Sequence, residues 1–138
     1  MNLAWRIYDY KGSNGESAIQ AWLDREKVSK RDRGQLNQKM DLLAMHGMDL
    51  PPKLLAGPLR SKTEKLRRKN IYKLIVHGDL MLRPYLCRGP VNNDAEFTML
   101  LGVIERNNVN DHDPSEAEAI RESIIENHDR RKDHERYR

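Results

Sequence analysis

A chain of 138 residues has room for one hydrophobic core and therefore for one functional face, which excludes two independent domains. With 38% apolar and 33% charged residues and no run of eighteen apolar positions, it also excludes a membrane-spanning helix. The first ten residues lack the basic start and apolar stretch of a secretory leader, and the single Cys87 cannot form an intramolecular disulfide, so the expected compartment is the cytoplasm.

Residues 4 to 10, Ala-Trp-Arg-Ile-Tyr-Asp-Tyr, alternate loosely in polarity and predict a first strand, broken by Lys11-Gly12-Ser13-Asn14-Gly15. Ala18, Ile19, Trp22 and Leu23 then share one helical face. A second helix runs through Leu36, Met40, Leu43 and Ala44 to a stop at Gly47, with Ser29 and Asp32 as its N-cap signal. Pro51-Pro52 and Gly57-Pro58 flank a loop that leads into the basic run from Ser61 to Asn70. The apolar stretch Ile71 to Val76, the turn His77-Gly78-Asp79 and the stretch Leu80 to Cys87 predict a hairpin. Pro84 has no N–H to donate, so that second strand is expected to lie at an edge, carry a bulge or end early.

Phe97 to Ile104 predicts a further strand. Asp113-Pro114-Ser115-Glu116 supplies an N-cap, a proline at the first helical position and a capping-box acid for a helix that places Ala117, Ile120 and Ile124 on one face. The expected fold class is α+β, in the order β-α-α-β-β-β-α: a small, mainly antiparallel sheet with one face on the helices and the other left for a ligand. Residues 1–128 form the expected single domain, and the highly charged residues 129–138 a frayed tail.

Charge is unevenly spread. Residues 51 to 90 carry 10 Lys and Arg against 2 Asp and Glu, whereas residues 91 to 138 carry 7 against 12. A concentrated cationic band is what a polyanion partner requires, because each phosphate it neutralises releases condensed counterions. Lys62, Lys65, Arg68, Lys69, Lys73 and Arg88 are the candidate phosphate-contacting residues of this band, and the resemblance given next makes them candidate RNA-binding residues.

The segment Lys65 to Val76, with a basic loop running into an aromatic-bearing strand, resembles the RelE/ParE toxin superfamily. So do Leu82-Arg83-Pro84-Tyr85-Leu86 and the apolar strand Met99 to Arg106 that ends on a basic residue. The N-terminal half, with Trp22-Leu23 on its first helix, is similar to the HigB-like, phage-derived branch, although Leu101 stands where many such members carry His. This resemblance implies a RelE-like fold and the toxin of a type II toxin-antitoxin system. It implies a ribosome-dependent mRNA endoribonuclease that inhibits translation, with mRNA, the ribosome and a cognate helix-turn-helix antitoxin as partners. Two alternatives share the fold: a ParE-like gyrase inhibitor without catalysis, and a phage or host accessory nucleic-acid-binding protein.

RNA cleavage by the neighbouring 2′-hydroxyl needs substrate orientation, proton transfer and charge stabilisation, but neither metal nor cofactor. The resemblance places Arg67 and Arg83 at the scissile phosphate and Arg106 at the basic end of the last strand. Three successive meander segments are expected to bring these arginines side by side, their planar forks matching phosphate oxygens. His112 is the candidate proton-transfer group, and Tyr85 the candidate for stacking on a base or donating a proton. The histidines and Cys87 show no zinc-ligand spacing, and Cys87 reads as a buried strand residue.

Overall fold

The computed structural model describes residues 5–61, 69–106 and 113–138. The N-terminal alternation becomes strand β1 (Arg6–Tyr10), with Ile7 and Asp9 turned inward. Helix α1 (Ala18–Arg25) starts where the Ser17 hydroxyl oxygen accepts the Gln20 N–H at 3.1 Å. Ser29 caps α2 (Lys30–His46) in the same way through the Asp32 N–H, at 3.1 Å. The Asp32 carboxylate turns elsewhere, accepting from the N–H groups of Asp79 and Leu80 at 3.0 and 2.9 Å and tying α2 to the turn after Gly78. Only glycine fits at 78, since a Cβ there would lie 2.2 Å from Asp32 Oδ1. Gly47, at φ 53°, ends α2 as its position predicts.

A short strand β2 (Leu55–Ala56), not foreseen in the sequence, pairs with β3 (Tyr72–Leu74). The hairpin is formed by β3 and β4 (Val76–His77) against β5 (Met81–Arg88), followed by β6 (Glu96–Glu105) and α3 (Ser115–Glu126). The N-cap of α3 is Pro114, one residue later than expected, and Asp113 just before it accepts the Ser115 N–H at 2.8 Å. Strand order among the described residues is β2-β3-β5-β6-β1-β7, with β4 also on β5 and β7 spanning Arg131–Asp133. Every pairing is antiparallel except that of β1 with β6, so the class is α+β with a mostly antiparallel open sheet.

Pro84 lies inside β5, opposite Gly102 and away from any edge. The sheet adapts around it in two ways. The partner strand is interrupted, since β3 pairs as far as Tyr85–Lys73 and β4 resumes at Leu82–Val76, leaving Pro84 in the gap where no N–H is needed. A bulge follows between Tyr85 and Leu86, where Leu100 becomes an extra residue on β6.

Both faces of the sheet are covered, contrary to the expectation of an open ligand face. Trp22, Leu23, Leu36, Met40 and Leu43 of α1 and α2 pack with Ile7, Leu82, Leu86, Phe97 and Met99. On the other face Ala117 and Ile124 of α3 join Tyr85, Cys87, Leu100 and Val103. Strands β5 and β6 carry apolar side chains on both faces, so each face needs its own cover.

The tail expected to fray is part of the fold. After α3 the chain returns as β7, which pairs with the edge of β1 left unpaired by β6: Tyr8 lies opposite Asp133 and Tyr10 opposite Arg131. Tyr137 is buried, donates its hydroxyl to Asp9 at 2.9 Å, and exchanges two hydrogen bonds with the Asn37 side chain at 2.9 and 3.0 Å. Several of the charges that made the segment look solvated have partners, Arg131 with Glu96, Asp133 with Arg6 and Arg136 with Asp41, and His134 Nδ1 lies 3.0 Å from Asp9 Oδ1.

Candidate nucleic-acid interface

Strands β5 and β6 decide what the expected arginines can do, because alternation sends successive side chains to opposite faces. Arg83, opposite Val103, falls on the α3 face with Tyr85 and Cys87. It is only 5% exposed. Its Nε donates to Glu105 Oε2 at 3.0 Å, and its Nη1 donates to the carbonyls of Leu82 at 2.9 Å and Val76 at 3.2 Å. A guanidinium amid apolar neighbours must be matched or exposed, and here it is matched from within. Arg83, which the resemblance places at the scissile phosphate, is instead held by Glu105, two residues beyond Val103 on the same face. Tyr85, at 1% exposure, is packed in the α3-side core and presents no ring to a base.

Arg106 lies on the other side of the sheet. Its exposed side chain meets Glu26, at the end of α1, at 3.7 Å. It borders a groove of about 610 Å³ that also touches Ser13, Trp22, Arg25, Gly102 and Glu116. The groove follows the part of β6 beyond its last pairing with β1, at Asp9–Met99. Gly102 forms its floor; a Cβ there would lie 1.9 Å from the Trp22 ring. The sheet thus separates Arg83 from Arg106, and the expected side-by-side arrangement of these two is not formed. Arg67 and His112, with Lys62, Lys65 and Arg68, lie outside the described residues.

Of the remaining cationic candidates, Lys73 is half-buried on β3 opposite Tyr85, and Lys69 donates its backbone N–H to Leu59 at 2.8 Å. Arg88 closes β5, donating Nε to the Asn93 carbonyl at 2.9 Å. A second cavity of about 240 Å³ opens there, lined by Asn70, Tyr72, Arg88, Asn93, Asp94 and Arg121. Sequence reasoning passed over Arg121 because it reads as the solvated partner of Glu118 one turn earlier on α3. Arg25 was missed for a similar reason, being the basic last residue of α1.

Burial pushes the Cys87 thiol up to about 12, which makes it a poor nucleophile. Ser17, His134 and Tyr137 all converge on the Asp9 carboxylate. With serine and histidine both turned to that carboxylate, the cluster anchors the C-terminal segment to β1 and α1 and offers no activated hydroxyl. Among the described residues no group of three His, Cys, Asp or Glu side chains is placed to hold a metal ion. No described helix is long and apolar enough to cross a membrane. No protein-family model, curated protein or solved structure matches the chain.

Proposed function

We propose that this protein is a RelE-type toxin, HigB-like in character, that acts on mRNA at the ribosome and is neutralised by a helix-turn-helix antitoxin. The observation that carries the reading is the band of 10 Lys and Arg against 2 Asp and Glu between residues 51 and 90, set within an α+β domain. In support, the domain is α+β with a mostly antiparallel open sheet in which β3, β5 and β6 lie side by side, although β2, β4 and β7 make its element order differ from the one expected. In the proposed reaction the 2′-hydroxyl attacks the adjacent phosphorus and the 5′-oxygen leaves, giving a cyclic phosphate and a 5′-hydroxyl end. Guanidinium groups stabilise the added charge. For Arg83 to serve, a phosphate must displace Glu105 from it.

That last requirement favours a second reading, a ParE-like inhibitor that binds its target without cleaving RNA, because Arg83 is already neutralised internally. Primer extension on mRNA from cells induced for this protein separates the two. Cuts within translated frames, suppressed by coexpression of the adjacent helix-turn-helix protein, are expected for the nuclease. Intact messages with a DNA-damage response would replace it by the inhibitor.

A further inference from the structure

We propose that the cavity between the end of β5 and α3 is a phosphodiester subsite for single-stranded RNA, with Arg88 and Arg121 holding the phosphate. The inference rests on the RNA-directed reading above and adds a location that the sequence did not indicate.

Two guanidiniums from different elements line this one cavity. Each retains donor capacity. Among the described residues Arg121 meets a protein acceptor at Nη1, where Glu118 Oε1 lies at 2.9 Å, and its buried Nε meets none. A buried N–H without an acceptor is costly and rare in a folded protein. Glu118 is itself shared, its other oxygen accepting the Asn70 N–H at 2.8 Å. Arg88 is 38% exposed, and its acidic neighbour Asp94 is 97% exposed at 3.6 Å. So open a pair contributes little, and an incoming anion displaces it readily.

The surroundings suit a nucleotide. The two non-bridging oxygens of a phosphodiester can accept from two forks approaching from different sides. The side-chain amides of Asn70 and Asn93 can bond either donors or acceptors, and Tyr72 adds an aromatic wall, so a sugar or base attached to the phosphate finds both polar and apolar partners. The volume of about 240 Å³, that of about eight liquid waters, admits a phosphate and the sugar attached to it. Asn70 is the last residue of the basic run in sequence.

The test is fluorescence anisotropy of a labelled single-stranded RNA oligonucleotide against the full chain and its Arg88→Lys, Arg121→Lys, Arg88→Ala and Arg31→Ala variants, at fixed ionic strength, with circular dichroism to confirm folding. Lysine keeps the charge and loses the fork. Arg88→Lys and Arg121→Lys are each expected to weaken RNA binding about tenfold. Arg31→Ala, which removes an exposed charge on α2 away from the cavity, is expected to change it less than about twofold. Wild-type affinity in both lysine variants would mean that RNA is held by diffuse charge alone and would overturn the subsite. Should Arg121→Lys fail to fold, Arg88→Ala carries the decision: wild-type affinity there overturns the proposal equally. Inorganic phosphate in place of RNA identifies the source. Phosphate binding that depends on both arginines and is not displaced by RNA would make this an inorganic-anion site and overturn the RNA assignment. Cleavage is read separately by primer extension. Weakened RNA binding in the lysine variants with no cleavage by wild type upholds the subsite and removes the nuclease reading, while cleavage with unchanged binding removes the subsite alone.

Discussion

Cys87 and Arg83 show how far a single residue can be judged from its neighbours in sequence. Flanked by Leu86 and Arg88, Cys87 reads as a buried strand residue, and it is fully buried. The unfolded thiol ionises near 9.0 and the folded one holds its proton to about 12. Between those values the unfolded chain carries fewer protons, so stability falls as pH rises, by up to about 1.4 kcal/mol per pH unit from this group. Cys87→Ala is expected to remove that share of the alkaline slope in urea titrations from pH 9 upward, and native Cys87 is expected to resist alkylation at pH 8 until denaturant is added. Arg83 also sits amid apolar neighbours, but its burial was not legible, because Pro84 signals a bulge without showing that the extra residue, Leu100, falls on the neighbouring strand and sets Glu105 in register with Arg83. Glu105→Gln leaves a buried guanidinium without its counter-charge and is expected to cost about 3–5 kcal/mol in chemical denaturation. Changing both partners, as Arg83→Met with Glu105→Leu, is expected to cost far less, and equal losses would show that the pair acts through packing.

Elements with their own start and stop signals were legible, and those defined by their partners were not. Helices α1 and α2 begin at Ser17 and Ser29 because a side-chain oxygen there satisfies an otherwise orphan N–H, and α3 begins at Pro114, just after Asp113 has taken the Ser115 N–H; such signals operate within four residues. Strand β7 has no such local signal. Its residues Arg131, Lys132 and Asp133 are charged, and what orders them is the backbone edge of β1 and the anchoring of Tyr137 on Asp9. Tyr137→Phe removes one hydrogen bond to a buried carboxylate and is expected to cost about 1.5–3 kcal/mol; Asp9→Ala, which strands three donors, is expected to cost more, both read as shifts in denaturation midpoint. The contact of α1 with β6 depends on Gly102 having no side chain beneath Trp22, so Gly102→Ala is expected to destabilise by about 1–3 kcal/mol and to shift the Trp22 emission.

At the scale of the whole molecule, the cationic band between residues 51 and 90 is legible from the segment charges alone, while the placement of those charges had to come from the fold. The sheet sends Arg83 to one side and Arg106 to the other, and it joins Arg88 to Arg121, residues from segments of opposite net charge. The sheet order also sets the sequence in which the protein can assemble. Strand β1, first in the chain, finds its strand partners among the described residues in β6 and β7, and the hydroxyl that seals it comes from Tyr137, 128 residues away. Joining such distant segments costs loop entropy before any pairing rewards it, so helices α1 and α2 can form early while β1 waits. Refolding is therefore expected in the millisecond-to-second range. In Trp22→Phe, where Trp5 is the remaining tryptophan and stacks 4.6 Å from Phe97, the fluorescence change should follow the slowest phase. A Trp5 signal completed together with helix formation would mean that β1 docks on the core before its neighbouring strands arrive.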